Sequence, residues 1–159
     1  MSTREIIKSQ YRASLEMLKQ AVERCPDSLW HQSEYRNQFW HIAYHTIFYA
    51  HFYLHPSEDA FVPWEKHRDE CVSLGEAEGA CKFSKEEILE YLALCLEQVG
   101  EHVDALDLTA ESGFYWLPFD KLQLQIYNIR HIQHHTGELC ERLGNSGDIE
   151  IDWVGIEPE

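Results

Sequence analysis

From Lys121 to Leu143 the chain reads KLQLQIYNIRHIQHHTGELCERL. Leu122, Ile126, Ile129, Cys140 and Leu143 recur at helical spacings, and Gly144 follows as a stop signal, which predicts a helix over 121–143. Within it His131 and His135 are four residues apart, about 40° on a helical wheel and one turn along the axis. Neutral imidazoles so placed can reach one metal ion together, as in two-histidine zinc helices. His134 falls on the wheel beside Gln123, Arg130 and Glu141, the polar face, and is expected at the surface.

Three further helices are predicted upstream. The first spans about Thr3 to Cys25, with Ile7, Tyr11, Leu15, Leu18, Val22 and Cys25 in one stripe ended by Pro26. The second, about Asn37 to Leu54, is apolar on nearly every side and is expected to be buried. The third begins at Ser84, which forms a capping box with Glu87, and carries Ile88, Leu92, Cys95, Val99, Val103 and Leu106. No segment alternates with period two between hairpin turns, so no sheet is expected. The expected fold is all-α: a four-helix bundle with a long connection between helices two and three. That connection, Pro56 to Phe83, contains the acidic run Glu76 to Glu78. Residues 1–143 form the bundle domain in this reading, and residues 144–159 an acidic C-terminal tail.

Composition narrows the function classes. A chain of 159 residues supports one domain, and 44% apolar with 13% aromatic content excludes a disordered chain. Lys and Arg total 13 against 28 Asp and Glu, a net charge of −15, so neither nucleic acid nor an anionic membrane surface is an expected partner. The most apolar window, Phe39 to Leu54, contains His41, His45 and His51, which argues against a membrane span. The polar first ten residues do not resemble a signal peptide. Five cysteines without a CxxC pair read as reduced thiols, and the expected location is cytoplasmic.

Ten histidines are the unusual feature. Taken singly, His31, His51, His55, His67 and His102 read as ordinary hydrogen-bonded residues. A buried pair with a third partner is different, because three packed imidazoles need partners for six nitrogens and a divalent ion satisfies three at once. The third ligand must come from another helix, and His41 lies on the one most buried. His45, one turn from His41, reads as either a fourth ligand or a donor behind the first shell.

The buried His41-Ile42-Ala43 together with Arg130-His131-Ile132-Gln133-His134-His135-Thr136-Gly137-Glu138-Leu139 resembles the DinB-like superfamily of four-helix-bundle metalloproteins. Relatives with a known activity include bacillithiol S-transferases and mycothiol-dependent maleylpyruvate isomerases. The resemblance covers helix order, the long second connection, the 90 residues from His41 to His131, and the closing Trp153-Val154-Gly155. It implies that His41, His131 and His135 are the metal ligands, and that bundles pair into a homodimer, which the all-round apolar second helix also suggests.

Three nitrogen ligands leave a position open for water or substrate, as in catalytic zinc sites, and the ligand type suits zinc or nickel. An ion so held would lower the pKa of a bound thiol or water. Glu138, about 20° from His131 on the wheel, is the candidate outer acceptor or general base. The expected function is a metal-dependent transferase that activates a low-molecular-weight thiol, or a hydrolase on the same three-histidine site, with the small-molecule substrate unknown. The alternative is a non-catalytic, stress-related bundle that binds a metal or small molecule. A large anionic thiol would require Arg130, Lys121, Arg142 or Arg36 placed beside the site.

Overall fold

The structure, a computed structural model, describes residues 1–75 and 82–156. Five α-helices appear in it: α1 (Thr3–Arg24), α2 (Asp27–Trp30), α3 (Phe39–Phe52), α4 (Lys85–Ala105) and α5 (Lys121–Gly147). Two 3-10 turns, Glu58–Ala60 and Asp69–Cys71, lie between α3 and α4. Among the described residues there is no strand, only an isolated antiparallel bridge between Glu111 and Asp120. The chain is all-α, as its periodicity predicts. Glu76 to Glu78 and Cys81 lie outside the described residues.

Both predicted and unpredicted caps start the helices. Ser84 accepts from the Glu87 backbone N–H at 3.2 Å while Glu87 accepts from the Ser84 N–H at 2.9 Å. Ser2 and Glu5 make the same reciprocal motif at α1, which the same spacing rule would have found. The short α2 has no counterpart in the sequence reading, because one turn is too short to show a period. It is held by burial of Leu29 and Trp30, and the Trp30 indole donates to the Phe83 carbonyl at 3.0 Å.

The long helices α1 and α3 are each flanked by α4 and α5. A buried polar tie sets α5 against α3. Asn128 Nδ2 donates to the Ala50 carbonyl at 3.0 Å and to the Tyr11 hydroxyl at 2.9 Å, and Gln125 Nε2 donates to the Tyr53 carbonyl at 3.4 Å. As the residue number rises along α5 it falls along α3, so the two helices run antiparallel.

Twelve of the fourteen α3 residues are buried within the single chain. The connection after α3 does much of this covering: Phe61 packs on Phe48 and Phe52, and His67 stacks on Phe48 with centroids 5.1 Å apart. The apolar circumference of α3 therefore supplies no argument for a second copy. His67 is itself tied, accepting from the Tyr44 hydroxyl at 2.6 Å through Nδ1 and donating to Asp69 at 2.9 Å through Nε2.

Two expectations are corrected here. Helix α5 does not stop at Gly144 but runs to Gly147, and Asp148 takes the left-handed position with φ +53°. A helical glycine costs only about 1 kcal/mol, less than the packing that carries Ile149 back toward the core. Residues 149–156 then follow α1, with the Asp152 N–H donating to Gln20 at 2.8 Å and Arg24 pairing with the Asp152 carboxylate at 2.6 Å. The second correction concerns the cysteines: Cys25, Cys95 and Cys140 are free thiols, but the buried Cys71 is disulfide-bonded. No described helix is long and apolar enough to cross a membrane.

Candidate metal centre

Three imidazoles converge between α3 and α5: His45, His131 and His135. Each offers one ring nitrogen, and the three nitrogens all lie within 4.8 Å of one another. His45 Nε2 and His131 Nε2 are 3.2 Å apart. The rings meet close to edge-on, His45 to His135 at 4.8 Å and His131 to His135 at 4.6 Å between centroids.

Two of these three, His131 and His135, are the residues that the sequence pairs on one helix. His41 is not brought into the cluster; His45, four residues later, stands there instead. The α3–α5 register explains why. Ala50 lies level with Asn128, and in an antiparallel pair this places His45 level with Gln133, midway between His131 and His135. His41 lies level with Gly137, about 6 Å further along the axis. Its ring instead stacks on Trp40 and its Nε2 donates to the Cys71 carbonyl at 3.0 Å, with the Ser73 backbone as a further partner.

Outer partners fix the rings that do converge. His45 Nδ1–H donates to the Val72 carbonyl at 2.8 Å, so its Nε2 is a bare lone pair aimed at His131. His135 Nδ1–H donates to Glu138 at 2.6 Å, which likewise leaves Nε2 as a lone pair. The wheel had placed Glu138 nearest His131; it serves His135. His134 is exposed, as its wheel position predicts, with Nε2 4.0 Å from Glu138.

Burial keeps these rings neutral. The His131 imidazolium is pushed down to about 3, first by desolvation and then by the neighbouring His135 and His45. His45 is lowered to about 4 for the same first reason, partly offset by the Val72 carbonyl. His135 is also lowered by burial, against the pull of Glu138.

Such a cluster fits a divalent transition metal. The His45 and His131 Nε2 atoms face each other at 3.2 Å, a gap that a proton on His131 or a shared cation can fill, and only a cation can also take the His135 ring. Nitrogen ligands of tetrahedral zinc, bonded at about 2.0–2.1 Å, are about 3.3–3.4 Å apart, close to the 3.2 Å between His45 and His131. His131 Nδ1 is buried without a hydrogen-bond partner, so no protein group ties that ring elsewhere.

Beside the triad lies a cavity of about 280 Å³ lined by His45, Tyr49, Tyr53, Tyr127 and His131. Larger hollows lie elsewhere: about 690 Å³ in the 109–120 loop, 570 Å³ beside Met1 and Ile156, 490 Å³ beside His51 and His55, and 420 Å³ beside Leu29 and Tyr35. None of these brings three ligand atoms together among the described residues.

A family model described as the DinB superfamily matches residues 10–139. No curated protein and no solved structure matches the chain.

Proposed function

The chain belongs to the DinB superfamily, and we propose that its long helices form a four-helix bundle holding one divalent transition ion, zinc or nickel, on His45, His131 and His135. The proposed activity is that of a metal-dependent transferase acting on a low-molecular-weight thiol. The convergence of three neutral imidazoles, two of them oriented by outer acceptors, carries this reading. A bound ion would supply a Lewis acid that makes a thiol ionise near neutral pH.

The chain's own residues do the rest. Val72 and Glu138 hold His45 and His135 in the tautomer that presents Nε2, and the Glu138 carboxylate strengthens His135 as a donor. Glu138 sits behind His135, on the nitrogen turned away from the triad, so it orients this ring rather than acting as a base on substrate. Tyr49 packs edge-on against both His45 and His131 and limits water at the open side.

Metal analysis of protein purified without any metal-affinity column tests the site, with about one zinc or nickel per chain expected. Metal content that stays near zero after incubation with either ion overturns the site. Thiol transfer to an epoxide or alkyl halide by the loaded protein, absent from the metal-free protein, tests the activity.

A further inference from the structure

Resting on the triad as a metal site, we infer that the tyrosine-walled cavity beside it selects a small, uncharged, ring-sized organic molecule and excludes anionic thiols. The walls are three tyrosines. Tyr49 meets His45 at 4.9 Å and 62°, and His131 at 5.6 Å and 75°. Tyr53 stands 5.5 Å from Tyr49 and meets Tyr127 at 6.0 Å and 73°. Aromatic faces set at such angles accept a flat ring edge-to-face or offset-stacked. At about 280 Å³ the cavity lies just below the range that holds drug-sized ligands.

Charge points the same way. No Lys or Arg lines the cavity. The cations that could have served an anionic ligand are engaged or placed elsewhere. Lys121 donates to the Pro56 and Ser112 carbonyls, and Arg142 lies over the Tyr35 ring while donating to the Asn37 carbonyl. Arg130 and Arg36 are exposed. In a chain of net charge −15, an anion entering this cavity would meet no counter-charge other than the ion itself. The polar groups on offer are phenol hydroxyls. Tyr53 already accepts a hydrogen bond from Trp116, leaving its own proton free to donate to a neutral oxygen.

The test uses the cobalt-loaded protein and two thiols, benzyl mercaptan and mercaptosuccinate, titrated while the thiolate-to-cobalt absorption band is followed. Benzyl mercaptan should bind at least tenfold more tightly. Tyr127→Ala should remove most of that preference, while 2-mercaptoethanol, too small to reach the walls, should bind both proteins alike. Equal or tighter binding of mercaptosuccinate, or an unchanged preference in Tyr127→Ala, overturns the inference. Cobalt that fails to bind before any thiol is added overturns the metal site instead. The cavity is then judged in metal-free protein by amide chemical shifts, which should move around Tyr49, Tyr53 and Tyr127 with benzyl alcohol and not with succinate. Shifts elsewhere, or none, overturn the assignment by that route too.

Discussion

Helix α3 and the turn that follows it carry two histidine pairs at the same spacing, His41 with His45 and His51 with His55, and they end in opposite chemistry. The His51 ring is saturated: Nδ1 shares a hydrogen bond with the Tyr91 hydroxyl at 3.0 Å and Nε2 with Gln98 Oε1 at 3.0 Å. His55 spends Nδ1 on the His51 carbonyl at 2.9 Å. On the other side His45 spends only its outer nitrogen, and its inner one meets two more imidazoles from α5. Spacing brings histidines to one face of a helix. Whether they become ligands is decided by how many of their nitrogens the neighbouring elements have already engaged.

The largest effect that would break this contrast is loss of metal. His45→Ala, His131→Ala and His135→Ala should each lose stoichiometric binding in equilibrium dialysis. His41→Ala and His51→Gln should keep one ion per chain. Retention of full binding by His45→Ala, together with its loss in His41→Ala, would return the third ligand to His41 and undo the register assignment. Next in size is Glu138→Gln, expected to weaken binding about 10–100-fold while leaving stoichiometry at one, the usual range for an outer partner of a ligating histidine. An unchanged dissociation constant would reduce Glu138 to a solvated carboxylate.

The helices and their cores were legible because α1, α4 and α5 each show their period on a stripe of apolar residues, such as Ile88 to Val103 on α4, and α3 shows itself by being apolar nearly all round. So were His131 and His135, which share one helix and need no tertiary knowledge. The third residue was not legible, because choosing between His41 and His45 requires the α3–α5 register. That register is set by Asn128 on the Ala50 carbonyl and Gln125 on the Tyr53 carbonyl, contacts between residues more than 70 positions apart. The outer acceptors Cys71 and Val72 were equally out of reach, being backbone carbonyls in a connection without periodicity.

The His51 side is sharpened by pH. Burial, then the nearby His55, lowers the folded His51 pKa to about 4, against about 6.5 in an unfolded chain. Above pH 6.5 the ring is neutral in both states and its full contribution to stability is present. Between 6.5 and about 4 the unfolded chain takes up a proton that the folded one does not, so stability falls as pH falls. At pH 5 this one group should cost about 2 kcal/mol relative to pH 7.5. Urea unfolding of metal-free protein should show that loss, and His51→Gln should flatten the pH dependence relative to the parent. Parallel pH curves for the two proteins would mean that His51 is not held neutral.

The smallest expected effect separates the two sides by what holds them. Tyr91 and Gln98, the partners of His51, both sit on α4, a long helix with its own caps and core. His41 and His45 are held instead by successive carbonyls of Cys71 and Val72, at the end of a 3-10 turn whose buried cysteine is disulfide-bonded. Breaking that bond frees the connection without touching a ligand. His45 stays on α3 and keeps its position, but loses the carbonyl that fixes its tautomer and ring angle. The cost should therefore be smaller than that of Glu138→Gln. Reduction with a phosphine, which brings no competing thiol, or the substitution Cys71→Ser, should weaken metal binding by a few-fold. The ring resonances of His41 and His45 should shift, and those of His51 should stay in place. Unchanged affinity after thiol counting shows full reduction would mean that the connection holds Val72 against His45 without its covalent tie. Movement of the His51 resonances would mean that the two sides of α3 are not independent.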